Sequence, residues 1–105
     1  MLIFASMDKV SVVILNWNGV QFLKEYLPAL VENTPQSLHG KVSIVVADNN
    51  SSDGSMEYLL TSWPQVRTIS LDRNYGFTGG YNRALAQVDA EYFILLNSDI
   101  LVPDN

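Results

Sequence analysis

Residues 10–19 read Val10-Ser11-Val12-Val13-Ile14-Leu15-Asn16-Trp17-Asn18-Gly19, five apolar residues among the first six and then a turn-forming cluster. Strict alternation would mark a strand with one wet face. This run is too apolar for that and suits a parallel strand buried on both faces. The Asn-Trp-Asn-Gly that follows ends the strand with turn chemistry.

The same grammar repeats along the chain. From Val20, the pairs Phe22/Leu23, Tyr26/Leu27 and Leu30/Val31 recur every four residues and predict an amphipathic helix, with Pro28 inside it as a kink. A second strand is expected over Val42–Ala47, followed by Asp48-Asn49-Asn50-Ser51-Ser52-Asp53-Gly54, almost all turn and cap residues. Met56, Leu59, Leu60 and Trp63 give a short second helix that Pro64 helps to stop. Val66–Leu71 reads as a third strand, and Gly76-Phe77-Thr78-Gly79-Gly80 opens a third helix with Tyr81, Ala84, Leu85 and Val88 on its apolar face. Tyr92–Leu96 is the fourth strand. The order βαβαβαβ, with right-handed crossovers, requires an α/β fold with a mostly parallel sheet and helices packed on it.

Composition bounds what such a chain can do. Its 105 residues support one small domain, and 48% hydrophobic with 16% charged residues argues against disorder. The formal charge is −5 and the six Lys/Arg are scattered, so no basic stripe exists for nucleic acid or an anionic membrane. Without cysteine there is neither a disulfide framework nor a Cys-ligated zinc site, which fits a reducing, cytoplasmic setting. Met1-Leu2-Ile3-Phe4-Ala5 is too short, and too soon followed by Asp8 and Lys9, for a signal segment; residues 1–9 read as an N-terminal extension and the start of the domain, and a start at Met7 would make residues 1–6 the extension. No run reaches the length of a membrane span.

Ligands of open parallel sheets bind at the carboxyl ends of the strands. Polar clusters stand at each of those ends: Asn16-Trp17-Asn18, Asp48-Asn49-Asn50, Asp72-Arg73-Asn74 and Asn97-Ser98-Asp99. Any one of them could be plain turn chemistry, but all four fall on one rim. Asp48 can accept from the ring N–H of a base or from a ribose hydroxyl, or else cap its own turn; Asp53 is the more natural cap of the second helix. Asp99 can hold Mg²⁺ or Mn²⁺ with oxygens from water and a diphosphate. The Gly76-x-x-Gly79-Gly80 loop can bring backbone N–H groups to a phosphate at a helix start, or simply permit tight packing. Arg73 and Arg83 flank it. Trp17 can stack on a base or cover the rim, and His39 stands alone in a polar loop.

Four of these stretches together resemble the family 2 glycosyltransferases, especially the rhamnosyltransferase-like branch: VSVVILNWNG, VVADNNSSDGS, NYGFTGGYN and FILLNSD, spread from Val10 to Pro103. The resemblance implies a GT-A fold, with residues 10–105 as its nucleotide-sugar-binding portion and a UDP-, dTDP- or GDP-linked sugar as donor. By analogy Asn16 and Asn18 line the base and ribose site and Asp48 holds the base. Asn74, Gly76, Gly80 and Asn82 shape the ribose-diphosphate wall, Asp99 ligates the metal, and Asn97 contacts ribose or donor sugar. Many relatives carry an acid where Asn97 stands; an uncharged amide there is a hydrogen-bonding neighbour of the ion.

The implied reaction is inverting displacement at the anomeric carbon, with transfer to a saccharide or lipid-linked acceptor. The family's catalytic base is an acidic residue well beyond the metal motif, and the sequence ends six residues after Asp99. The expectation is therefore a piece inactive alone, with an exposed sheet edge that favours a homodimer. Two other readings stand beside this one. A Rossmann-type dinucleotide-binding domain would also place an acid at Asp48, but G-x-G-x-x-G is absent after the first strand. A noncatalytic α/β interaction module would bind no nucleotide and be indifferent to Asp99.

Overall fold

The computed structural model describes residues 9–34 and 42–98. Its elements follow in the order β1 (Val10–Asn16), α1 (Val20–Glu32), β2 (Val42–Asp48), α2 (Ser55–Ser62), β3 (Arg67–Ser70), α3 (Gly76–Leu85) and β4 (Tyr92–Asn97). The four strands form one sheet in the order β3-β2-β1-β4, and every pairing is parallel. The expected α/β architecture is therefore present.

Register explains why β1 had to be so apolar. As an inner strand it pairs Val10–Asn16 with Val42–Asp48 on one side and Val10–Leu15 with Tyr92–Asn97 on the other. Its side chains then alternate between two cores. Ile14 and Val46 point to the face packed by Leu23 and Leu27 of α1, Leu59 of α2, and Val66. Val13, Leu15, Val45, Ala47 and Ile69 point to the face packed by Tyr81 and Ala84 of α3. Leu23 and Leu27 are completely buried, and each such side chain contributes about 1.5–3 kcal/mol relative to exposure.

Boundaries differ modestly from the sequence expectation. α1 runs on through Pro28 to Glu32, since one lost backbone donor is outweighed by the buried leucine stripe on either side of it. β3 is shorter than Val66–Leu71, because only Arg67–Ser70 pair with β2, although Val66 and Leu71 remain buried. α3 stops at Leu85, and Val88 follows in a turn whose N–H donates to Leu85 O.

β4 is the exception to burial. It is an edge strand, and Tyr92 (61%), Phe93 (37%), Ile94 (50%) and Leu95 (46%) are all exposed despite an apolar sequence. On the α1 side, Leu96 and Ile14 floor a groove of about 330 Å³ walled by Phe22, Tyr26, Leu27 and Leu30. Among the described residues, no helix is long and apolar enough to cross a membrane.

Candidate functional site

The carboxyl ends of the strands are tied together by backbone hydrogen bonds. Asn49 N donates to Asn16 O, Leu71 N to Asp48 O, and Ser98 N to Leu15 O, so the turns after all four strands share one scaffold. Beneath the rim lies a polar cluster. Asn16 and Asp48 are adjacent in register and fully buried. Asn16 Nδ2 donates to Asp48 Oδ1 at 2.8 Å and to Ser51 Oγ at 3.2 Å, while Ser51 N and Oγ donate to the Asp48 carboxylate at 2.8 and 2.7 Å. A buried carboxylate persists because these donors replace its lost water.

Asp48 was expected at the base; what the structure describes is its set of partners within the chain. The geometry turns Asp48 inward, where it caps its own turn and anchors Asn16. The side chain from this strand end that reaches the surface cleft is its neighbour, Asn49. That cleft, about 140 Å³, is lined by Leu15, Trp17, Asn49, Asn74, Gly76, Phe77, Asn97 and Ser98. Asn49 ties it to the β3–α3 loop: its Oδ1 accepts from Tyr75 N at 3.0 Å and its Nδ2 donates to Gly76 O at 3.0 Å.

The other expected residues divide between the cleft and its surroundings. Asn74, Gly76 and Asn97 line it. Asn74 Oδ1 accepts from Gly76 N at 2.7 Å, and Gly76 adopts φ 77°, which glycine takes without strain. Asn97 Oδ1 accepts from Tyr81 Oη at 2.6 Å, so α3 holds its amide in place. Gly80 is buried under the cleft floor; a Cβ there would stand 2.9 Å from both Asn49 Nδ2 and Leu15 Cδ1. Asn82 is exposed on α3 and does not reach the cleft. Asn16 supports it from below. Asn18 (φ 52°) lies outside it, where its N–H donates to Ser51 Oγ and its Oδ1 accepts from Ser52 N. Asp99 and His39 lie outside the described residues.

Two ionic features surround the rim. Asp53 Oδ2 accepts from Val20 N at the start of α1, while its Oδ1 accepts from Ser55 N and Oγ at the start of α2. Partial burial pushes the Asp53 carboxyl up, but the hydrogen bonds from Ser55 and Val20 outweigh it and hold it below the usual value. On the other flank, Tyr75 donates to Asp72, and that bond, helped by Arg73 and Arg83, keeps Asp72 below the usual range. Arg83 stacks on the Tyr75 ring at 3.7 Å and Arg73 lies 5.4 Å from it, which places two cations beside the N-terminus of α3.

Among the described residues no cluster of three or more His, Asp or Glu side chains could hold a metal by itself. Sequence reasoning did not single out Asn49, Phe77, Leu15 or Ser98 as lining the cleft. The signal for Asn49 was its place directly after an inward-facing strand residue; Phe77, Leu15 and Ser98 had none beyond proximity to the four clusters.

A parallel sheet with polar amides, two aromatic side chains and a glycine-started helix gathered at its strand ends is an open α/β domain with its cleft where such sheets bind ligands. Residues 11–105 match the family described as Glycosyl transferase family 2, and the chain belongs to that family. It is 33% identical over 107 residues to undecaprenyl-phosphate 4-deoxy-4-formamido-L-arabinose transferase of Proteus mirabilis, covering 95% of this chain and 32% of that protein. It is 30% identical over 81 residues to N-acetylglucosaminyl-diphospho-decaprenol L-rhamnosyltransferase of Mycobacterium tuberculosis, covering 77% of this chain and 25% of that one. The crystal structure of S. aureus TarS 1-349 in complex with UDP-GlcNAc superposes with a TM-score of 0.70 at 25% identity, over 87% of this chain and 26% of TarS. The fold is that of the GT-A glycosyltransferases. The chain thus spans about a third or less of the length of these relatives.

Proposed function

We propose that this chain is the donor-binding portion of a glycosyltransferase that holds a nucleotide-diphosphate sugar and passes the sugar to a saccharide or lipid-linked acceptor. The observation that carries the reading is the cleft at the strand ends, walled by Trp17 and Phe77 and edged by the amides of Asn49, Asn74 and Asn97. At about 140 Å³ it is smaller than the ~300–1,000 Å³ of typical ligand pockets, so it suits a planar base while the rest of the ligand lies along the rim. Aromatic walls give the base stacking surface. With its Oδ1 engaged by Gly76 N, Asn74 has Nδ2 to offer a ligand oxygen.

The diphosphate belongs at the N-terminus of α3, where backbone N–H groups, Arg73 and Arg83 gather positive potential. Asp48 works indirectly in this reading, by fixing Asn16 and the Ser51 turn. Mg²⁺ or Mn²⁺ belongs to the same proposal, held by Asp99 together with phosphate and water oxygens, where it would offset charge on the departing diphosphate. In the transfer itself an acceptor hydroxyl oxygen bonds to the anomeric carbon, the bond to the diphosphate oxygen breaks, and a base takes the hydroxyl proton. No described residue is placed for that base, and the 105-residue chain alone is expected to bind donor without turnover. Self-association through the bare edge of β4 completes the proposal; Leu95→Lys would return the chain to a monomer in light scattering.

Isothermal titration with UDP, dTDP, GDP and NADH, each with and without Mn²⁺, tests the function. A nucleoside diphosphate strengthened by Mn²⁺ is expected. Preference for NADH with no metal effect would overturn the reading.

A further inference from the structure

Two buried polar atoms at the rim have no hydrogen-bond partner among the described residues: Asn16 Oδ1 and Ser98 Oγ. Both residues are nearly inaccessible, at 0% and 3% exposure. An orphaned buried amide oxygen or hydroxyl carries a desolvation cost of about 1–3 kcal/mol, so a pair of them in one place calls for a physical reason.

The pair is not scattered by accident. Asn16 Nδ2 is committed to Asp48 and Ser51, which fixes the amide so that Oδ1 must face away from them. That face looks toward Gly19. A Cβ built on Gly19 would lie 2.4 Å from Ser98 Oγ and 2.6 Å from Asn16 Oδ1, so both orphans border the same side of one glycine. The amide oxygen can only accept and the hydroxyl can donate. They are complementary, and both lie beside the same point next to Gly19.

Those two strand ends, hydrogen-bonded neighbours in the sheet, also line the cleft side by side. Leu15 and Trp17 come from the β1 end, Asn97 and Ser98 from the β4 end. Backbone fixes one contact between them, Ser98 N to Leu15 O at 3.1 Å. With the backbones already paired, a ligand in contact with both ends has only these two side chains left to bring together.

We propose that Ser98 is a positioning residue: when the cleft is filled, its hydroxyl donates to Asn16 Oδ1 and fixes the side chains of the β1 and β4 ends in one arrangement under the ligand. Ser98 does not touch the reacting atoms in this arrangement. It couples ligand affinity to the placement of Trp17 and Asn97, and Gly19 is glycine because any side chain would stand between the two oxygens. The inference rests on the proposal that a nucleoside diphosphate occupies this cleft.

The test is a double-mutant cycle on the full 105-residue chain, with Ser98→Ala, Asn16→Ala and the pair, reading both urea stability without ligand and affinity for whichever diphosphate binds the wild type. Ser98→Ala is expected to weaken binding about threefold to tenfold, the range of one hydrogen bond, with unchanged or improved stability, because an orphan is removed. Ser98→Thr, which keeps the hydroxyl, should restore the affinity. The two substitutions should be non-additive for binding and additive for ligand-free stability. Equal affinity of Ser98→Ala and wild type, or additive binding effects, would overturn the positioning role while leaving the nucleotide reading intact. A wild-type chain that binds no nucleoside diphosphate at all would remove both.

Discussion

Two adjacent glycines in α3 should respond to the same substitution in opposite ways. Replacing helical glycine by alanine stabilises a helix by about 1 kcal/mol when nothing else changes. At Gly79 little else does: the new Cβ would meet Tyr75 Cβ at 3.1 Å on a partly exposed surface. Gly80 is different. Its Cβ would lie 2.9 Å from Leu15 Cδ1, 3.2 Å from Leu15 Cδ2 and 2.9 Å from Asn49 Nδ2. Leu15 is buried between β1 and α3, and Asn49 is pinned by its bonds to Tyr75 N and Gly76 O, so neither yields cheaply.

Overpacking of this kind costs about 1–3 kcal/mol. Displacing Asn49 adds about 0.5–1.5 kcal/mol for each hydrogen bond lost. Together these exceed the helix gain, and Gly80→Ala is expected to lose about 1–3 kcal/mol net, or roughly 4–8 °C in Tm per kcal/mol. Gly79→Ala should be neutral or slightly stabilising. Urea and thermal unfolding followed by circular dichroism give both values. A Gly80→Ala chain as stable as wild type would refute the close approach of α3 to β1. The same variant should also bind nucleotide less well, since Asn49 and Gly76 edge the cleft.

Other outcomes follow from the same geometry. Gly19→Ala places a methyl against Ser98 Oγ and Asn16 Oδ1 and should lower the urea midpoint through about 1–3 kcal/mol of overpacking. Leu23→Ala, at a fully buried position of α1, should cost about 2–5 kcal/mol in the same assay. Asp48→Ala strands Ser51 N and weakens Asn16's hold, with an expected loss of about 1–3 kcal/mol and a larger proportional loss of nucleotide affinity by titration calorimetry. Asp53 sits below its ordinary value of 3.8; its stabilisation is full above that value and disappears as pH falls through the lower folded value. An acid titration of stability should therefore decline below about pH 4, and Asp53→Asn should flatten that decline.

The layered architecture was legible because β1 and β2 are too continuously apolar for anything but inner parallel strands, and because Asn, Asp and Gly clusters punctuate each of them. The rim was legible for the same reason. Which side chain of each cluster lines the cleft was not. Asp48 turns inward because Asn16, thirty-two residues earlier, is its register neighbour and donates to it; no local pattern carries that pairing. Asn18 likewise follows Ser51 and Ser52 rather than the cleft. Asn82 has the type and neighbourhood of the others, but on α3 it stands exposed and apart from the cleft. Strand order also hides from a single sequence, so the uncovered position of β4 emerged only once β1 was seen between it and β2.

The carboxylate of Asp53 ends the β2–α2 connection and also receives the first N–H of α1. Two loops that look like separate parts therefore hang from one peg. For anyone grafting loops from a relative, the β1–α1 and β2–α2 segments form a single cassette. Exchanging the β2–α2 segment alone would leave the start of α1 without its anion, and exchanging the β1–α1 segment alone must keep Val20 N within reach of Asp53.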